Sequence, residues 1–132
     1  MKMLQPAGWP RPKGYSNGTA ADGTHVHIAG MVGWNPVNSE FETDDFAGQF
    51  RQTLENIMAV LAEAGGGPEH IARFTWYVTD KAEYLGSLKE IGEAYRDVIG
   101  KHYPAMAAIE ISGLMEPRAK IEIETYAVVP KG

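Results

Sequence analysis

Tyr103-Pro104-Ala105-Met106-Ala107-Ala108-Ile109-Glu110-Ile111 and Lys120-Ile121-Glu122-Ile123-Glu124-Thr125-Tyr126-Ala127-Val128 both alternate at period two. That is the pattern of half-buried strands, and Gly113 to Arg118 between them reads as a turn. Successive side chains of a strand point to opposite faces, so odd and even positions separate. The odd set, Ala107, Ile109, Ile111, Ile121, Ile123 and Ala127, is apolar and predicts a helix laid over it. The even set mixes Met106, Ala108 and Tyr126 with Glu110, Glu122 and Glu124. An ionised carboxylate is costly to bury alone. The even face is therefore expected to meet a partner subunit, with a wet cleft at the seam.

Upstream of this pair, Ile71 to Thr79 is rich in aromatic and β-branched residues and predicts another strand. Asp80 and Glu83 then open a helix in capping-box fashion. Its stripe is Tyr84, Leu88, Ile91, Tyr95 and Val98, and Gly100 stops it. Phe46, Phe50, Leu54, Ile57 and Leu61 recur at helical spacing behind an acidic start at Asp44 or Asp45. Gln49, Arg51, Gln52, Glu55 and Glu63 are assigned to that helix's polar side. Gly65-Gly66-Gly67-Pro68 ends it; no Lys-Ser/Thr pair follows, so this is a helix stop and not a phosphate loop. Tyr15 to Ala21 and Thr24 to Val32 are expected to form a hairpin turned at Asp22-Gly23. In its second strand Val26, Ile28 and Val32 oppose His25, His27, Ala29 and Met31. Residues 1–13, with Pro6, Pro10 and Pro12 around Trp9, read as an extended arm ahead of one domain over 14–130. The order ββαβαββ predicts an α+β fold, a mixed sheet with two helices packed on one face. The step from Val32 to Thr79 is expected to be a right-handed crossover. A sheet face left bare by the helices favours self-association.

Composition narrows the function classes. At 132 residues the chain suits one domain with a sizeable core. A net charge of −5 without a basic stripe argues against general nucleic-acid binding. The absence of cysteine excludes disulfides, thiolate metal sites and a cysteine nucleophile. Met1 to Lys13 has no apolar core of the kind a secretory signal needs, and no run is long enough to span a bilayer. A soluble, cytoplasmic protein is expected. His25 and His27 share a strand face, but no third metal ligand is evident, so they are expected to be two seam histidines.

Lys13-Gly14-Tyr15-Ser16, Ile28-Ala29-Gly30, Gln52-Thr53-Leu54-Glu55-Asn56-Ile57, Val78-Thr79-Asp80, Tyr103-Pro104-Ala105 and Lys120-Ile121-Glu122-Ile123-Glu124 together resemble the YjgF/RidA family. Members are also labelled endoribonuclease L-PSP or translation inhibitor. The likeness covers roughly residues 13 to 130 with the motifs in order. It implies a chorismate-mutase-like fold and a homotrimer with small-molecule clefts at its subunit seams. It also implies a cofactor-free deaminase that hydrolyses enamine and imine intermediates of the 2-aminoacrylate type to 2-keto acids and ammonia.

By that resemblance Tyr15 and Glu122 are the catalytic candidates, Glu122 matching the acid that orients water. Gly30, Met31, Trp34, Met106 and Ala108 are the candidates for lining the substrate pocket. The family's carboxylate-binding arginine falls at Met106, and a thioether supplies neither charge nor a bidentate fork. Its cysteine falls at Ala108, its helix asparagine at Lys89 and its serine before the cleft glycine at Ala29. Loss of a partly desolvated charged anchor costs about 2–5 kcal/mol when the other partner remains. Weak or absent action on small 2-imino acids is therefore expected, with neutral, cationic or larger apolar ligands favoured. Arg118 and Lys89 are the basic residues considered as substitutes, against the plainer reading that both are solvated. Glu122 as an edge acid paired with Lys120 or Arg118 is the plainer reading for that residue. The functional alternatives are a variant deaminase-type hydrolase, a non-catalytic metabolite-binding trimer and, least, a ribonuclease.

Overall fold

Asp45 caps the first helix: its side chain accepts a hydrogen bond from the Gly48 amide at 2.9 Å. In this computed structural model, which describes Met1–Gly132, that helix is α1 (Phe46–Glu63). It stops at Ala64, where Gly65 takes φ of 73°. The Gly66 amide reaches back to the Leu61 carbonyl and the Gly65 amide to that of Ala62. Those two bonds form a Schellman motif, which is why a glycine pair stands there. The other elements are β1 (Lys2–Leu4), β2 (Gly18–Ala20), β3 (Thr24–Val32), β4 (Ile71–Val78), α2 (Lys81–Gly86), α3 (Leu88–Val98), β5 (Ala105–Glu110) and β6 (Ile121–Val129). A single 3-10 turn, Pro68–His70, leads into β4.

The main sheet has the order β3-β6-β4-β5. β6 runs antiparallel to both β3 and β4, and β5 lies parallel to β4. Phe50, Leu54, Ile57 and Leu61 of α1 and Ile91, Ala94 and Tyr95 of α3 are buried in one cluster with Phe74, Trp76, Val78, Ile121 and Ile123. The helices thus cover one sheet face, as the apolar stripes predict, and the fold is the expected α+β mixed-sheet class.

Four expectations need correction. First, β5 and β6 are not neighbours, because β4 lies between them. Met106 and Ala108 stand beside Phe74 and Trp76 on the helix-covered face, whereas Ile109 is 44% exposed on the other. Parity therefore reverses between the two strands: odd positions of β6 and even positions of β5 share the covered side. Second, β2 pairs with β1 in a separate two-stranded sheet and not with β3. The presumed turn residue Gly23 instead crosses closely over the end of β6, where a Cβ would stand 2.9 Å from the Val129 carbonyl carbon. The arm is accordingly stitched down, and Thr19 Oγ1 donates to the Ala72 carbonyl at 2.7 Å. Third, the second helix is two. Ser87 interrupts it, its hydroxyl bonding back to the Glu83 carbonyl at 2.8 Å, a competition with the helix ladder that bends or ends helices.

Fourth, Gln49 is fully buried and not on a polar flank. Its amide nitrogen donates to the carbonyls of Thr43 and Arg118, and its oxygen accepts from the Lys120 amide. One buried amide thereby ties the start of α1 to the entry of β6. Asn56 does the same for the loop after β3, donating to the carbonyls of Val32 and Trp34. No helix is long and apolar enough to cross a membrane.

Candidate functional site

Between β5 and α3 lies a cavity of about 700 Å³. Met106 and Ala108 line it from the strand. Trp76 lines it from β4, Tyr84, Leu88, Ile91, Gly92, Tyr95 and Arg96 from the helices, and Lys13, Gly14, Tyr15 and Tyr103 from the adjoining loops. Local bonds place Tyr15 there. Ser16 donates its amide to the Pro104 carbonyl at 3.0 Å, and its hydroxyl bonds the Tyr103 carbonyl. The Lys13-Gly14-Tyr15 corner is thus pinned to the start of β5. Gly14, at φ of 77°, supplies the left-handed residue that this corner needs.

Tyr95 and Tyr103 stack with centroids 5.4 Å apart and planes within 10°. The Tyr95 hydroxyl donates to the His102 carbonyl, fixing the α3–β5 connection. Burial pushes the Tyr95 phenol well above its ordinary value, with the Tyr103 phenol adding to the effect, and burial alone raises that of Tyr84. Both therefore remain protonated; the O–H of Tyr95 is already given to His102, and that of Tyr84 can serve as a hydrogen-bond donor. The Trp76 indole N–H is buried without a hydrogen-bond partner.

Glu122 and Gly30 are elsewhere. Glu122 lies opposite Tyr77 on β4 and Val32 on β3, on the sheet face turned away from the helices. It is half-buried. The cations expected to neutralise it are engaged by others: Lys120 pairs with Glu83 at 2.8 Å and Arg118 with Asp44 at 2.9 Å. The plain edge-pair role is therefore not the one Glu122 has here. Its carboxylate occupies the space over Gly30, where a Cβ would stand 2.8 Å from the carboxyl carbon. Nearby on the same face, the Tyr77 hydroxyl donates to Glu124 at 2.7 Å. That bond, with desolvation and the charges of Glu124 and Glu122, holds the Tyr77 phenol above its usual range. His25 and His27 flank the Tyr126 ring, with centroids 5.7 and 4.9 Å away. No group of three or more His, Asp or Glu side chains is arranged to hold a metal.

The candidates of the sequence thus divide. Tyr15, Met106 and Ala108 share the cavity; Gly30 and Glu122 share the opposite face. Met31 joins neither group. A bulge between Ile28 and Met31 shifts the register, so Met31 faces Ile123 and packs on the core. Trp34 turns toward Phe41, with ring centroids 5.8 Å apart, and is not on the cavity wall. Of the considered substitute cations, Arg118 is held by Asp44 and by the Phe41 carbonyl at 3.0 Å, and Lys89 is exposed outside the cavity. Within one chain Arg96 lines the cavity and no acid does; the expected niche, with Glu122 as its carboxylate, is one walled by two copies. The readable signal was the Leu88-Gly92-Arg96 row at four-residue spacing on one helix face. Without the cavity's position, that row looks like any solvated helix surface.

Residues 10–129 match the model of the endoribonuclease L-PSP family. A RutC family protein of Pyrococcus horikoshii is 32% identical over 118 residues, spanning 89% of this chain and 90% of the relative. Among solved structures, the Rid family protein YyfB of Yersinia pestis superposes with a TM-score of 0.84 at 29% identity, covering 97% of this chain and 98% of that one. TdcF of E. coli, solved with bound serine, gives a TM-score of 0.69 at 28% identity, over 98% and 99% of the two chains. With the motifs, the strand order and these matches in agreement, the chain belongs to the YjgF/RidA family, the endoribonuclease L-PSP group.

Proposed function

We propose that the chain is a cofactor-free hydrolase of enamines and imines that works as a homotrimer, its site completed across the subunit seam. The observation that carries this is the division of the candidates: the cavity holding Tyr15 has no acid, while Glu122 stands with neither expected cation on the opposite face. A neighbouring copy that applied its Gly30–Glu122 edge to the cavity would unite phenol and carboxylate. The open face, with Ile109 exposed and the Glu122 carboxylate half-buried, supports self-association. Serine bound to the relative TdcF supports a small-molecule ligand.

In such a seam Glu122 would accept a proton from water as the water oxygen bonds to the imine carbon. The nitrogen would take a proton from the Tyr15 phenol, leaving a carbinolamine. Glu122 would then pass the water proton to that nitrogen as the C–N bond breaks, and the hydroxyl proton would return to the Tyr15 oxygen as ammonia and a carbonyl compound separate. Positioned proton transfer of this kind contributes about 10²–10⁴-fold. Met106 occupies the slot of the family's arginine, so small 2-imino acids would be held poorly from the strand side. Ammonia release from freshly generated 2-aminoacrylate tests this reading. A slow rate that Glu122→Gln abolishes and Met106→Arg raises is expected; no acceleration over buffer by any of the three proteins would overturn it.

A non-catalytic metabolite-binding trimer is the second reading, favoured by the absence of an acid from the chain's own cavity. It predicts ligand-dependent melting shifts without turnover. Ribonuclease action is the weakest reading for a chain of net charge −5, because RNA affinity rests on clustered cations.

A further inference from the structure

Two of the thirteen cavity-lining residues, Lys13 and Arg96, are cations, and none is an acid. That bias runs against a net charge of −5 for the chain. The lysine and arginine ion pairs use other cations, Arg51 with Asp97, Arg118 with Asp44 and Lys120 with Glu83. Arg96 lies back along α3 over Gly92, where a Cβ would stand 3.3 Å from its Nη1. The glycine leaves a notch in the helix wall, and the guanidinium settles over it. Around this charge the wall is aromatic: Tyr95 stacks on Tyr103, and Trp76 lines it from β4.

We infer that Arg96, assisted by Lys13, is the anion anchor of this cavity, and that the ligand class is a carboxylic acid with a planar apolar body. A guanidinium presents a fork matched to a carboxylate, and pockets of this kind combine an apolar lining with a few placed polar groups. The charge stands on the helix wall and not on strand β5. It therefore engages the acid group while the body of the ligand lies against Tyr103, Trp76 and Met106. The inference rests on the cavity being the ligand site of the proposed function, but not on the hydrolytic step.

Calorimetric titration with phenylacetate and with its neutral isostere phenylacetamide tests it. The wild-type chain should bind the acid roughly tenfold or more tightly than the amide. Arg96→Gln should bring that ratio near one while leaving the amide's affinity and the melting temperature unchanged. A ratio near one in the wild type, a ratio that survives in the Arg96→Gln/Lys13→Gln double variant, or no binding of either compound would overturn the anchor. Glu122→Gln keeps the two questions apart. Loss of ammonia release with the acid-to-amide ratio intact would support the anchor and the seam chemistry together. A wild type that prefers the acid but never releases ammonia would support the anchor while removing the hydrolase.

Discussion

Gly30 and Glu122 share one volume: a Cβ on the glycine would stand 2.8 Å from the carboxyl carbon of the glutamate. The bulge that carries Gly30 lets β3 and β6 remain paired while the carboxylate folds over bare backbone. The position of this acid is therefore set by the absence of a side chain on the neighbouring strand.

Gly30→Ala should displace the carboxylate without unfolding the protein, since the contact is with the far end of a flexible side chain. Ammonia release is expected to fall by about tenfold or more, approaching the Glu122→Gln value, because water-positioning is worth up to 10²–10⁴-fold. Circular dichroism melts should stay close to wild type. A Gly30→Ala protein with full ammonia release would detach Glu122 from the proposed reaction.

Gln49→Leu should be among the more damaging substitutions outside the apolar core. It would leave the carbonyls of Thr43 and Arg118 and the amide of Lys120 without their partner. Each buried unpaired group costs about 1–3 kcal/mol, so a loss of roughly 3 kcal/mol or more in urea unfolding is expected. By contrast, Asp97→Asn removes a partner of Arg51 that is 62% exposed, and a change below about 1 kcal/mol is expected.

Alkaline stability should report on Tyr95. Burial raises its phenol in the folded state above the ordinary 10.0. The unfolded chain thus loses the proton first, so stability is fully present below pH 10 and declines as pH rises further. One retained proton gives a slope of about 1.4 kcal/mol per pH unit. Tyr95→Phe removes that proton and should flatten the alkaline limb of a denaturation series, at the cost of the bond to the His102 carbonyl near neutrality. An unchanged limb in the variant would assign the alkaline loss to other groups.

How far the chain could be read from its residues differs by element. α1 was legible because its apolar spacing, its Asp45 cap and its glycine stop all agree with one structure. β5 and β6 were legible as strands but not as non-neighbours, since alternation gives the two faces of a strand and says nothing of who lies beside it. That gap matters most for the site. With β4 interposed, Met106 and Glu122 fall on opposite sides of the sheet, where a direct pair would have put them together. Met31 was misplaced for a related reason: the bulge after Ile28 reverses parity, and a period-two pattern carries no mark of an inserted residue. Arg96 is not legible in the sequence, because a helix stripe names the buried face and leaves unsaid what borders it.

In the proposed function, phenol and carboxylate come from different chains of one assembly. Tyr15→Ala and Glu122→Gln proteins, each with little activity alone, should be unfolded together, refolded at equal ratio and assayed for ammonia release from 2-aminoacrylate. In a symmetric trimer assembled at random, about a quarter of the seams would pair an intact Tyr15 with an intact Glu122. Recovery of about that fraction of wild-type activity is the predicted result. Activity no higher than the average of the two parents, in mixtures shown to have exchanged subunits, would contradict a shared site.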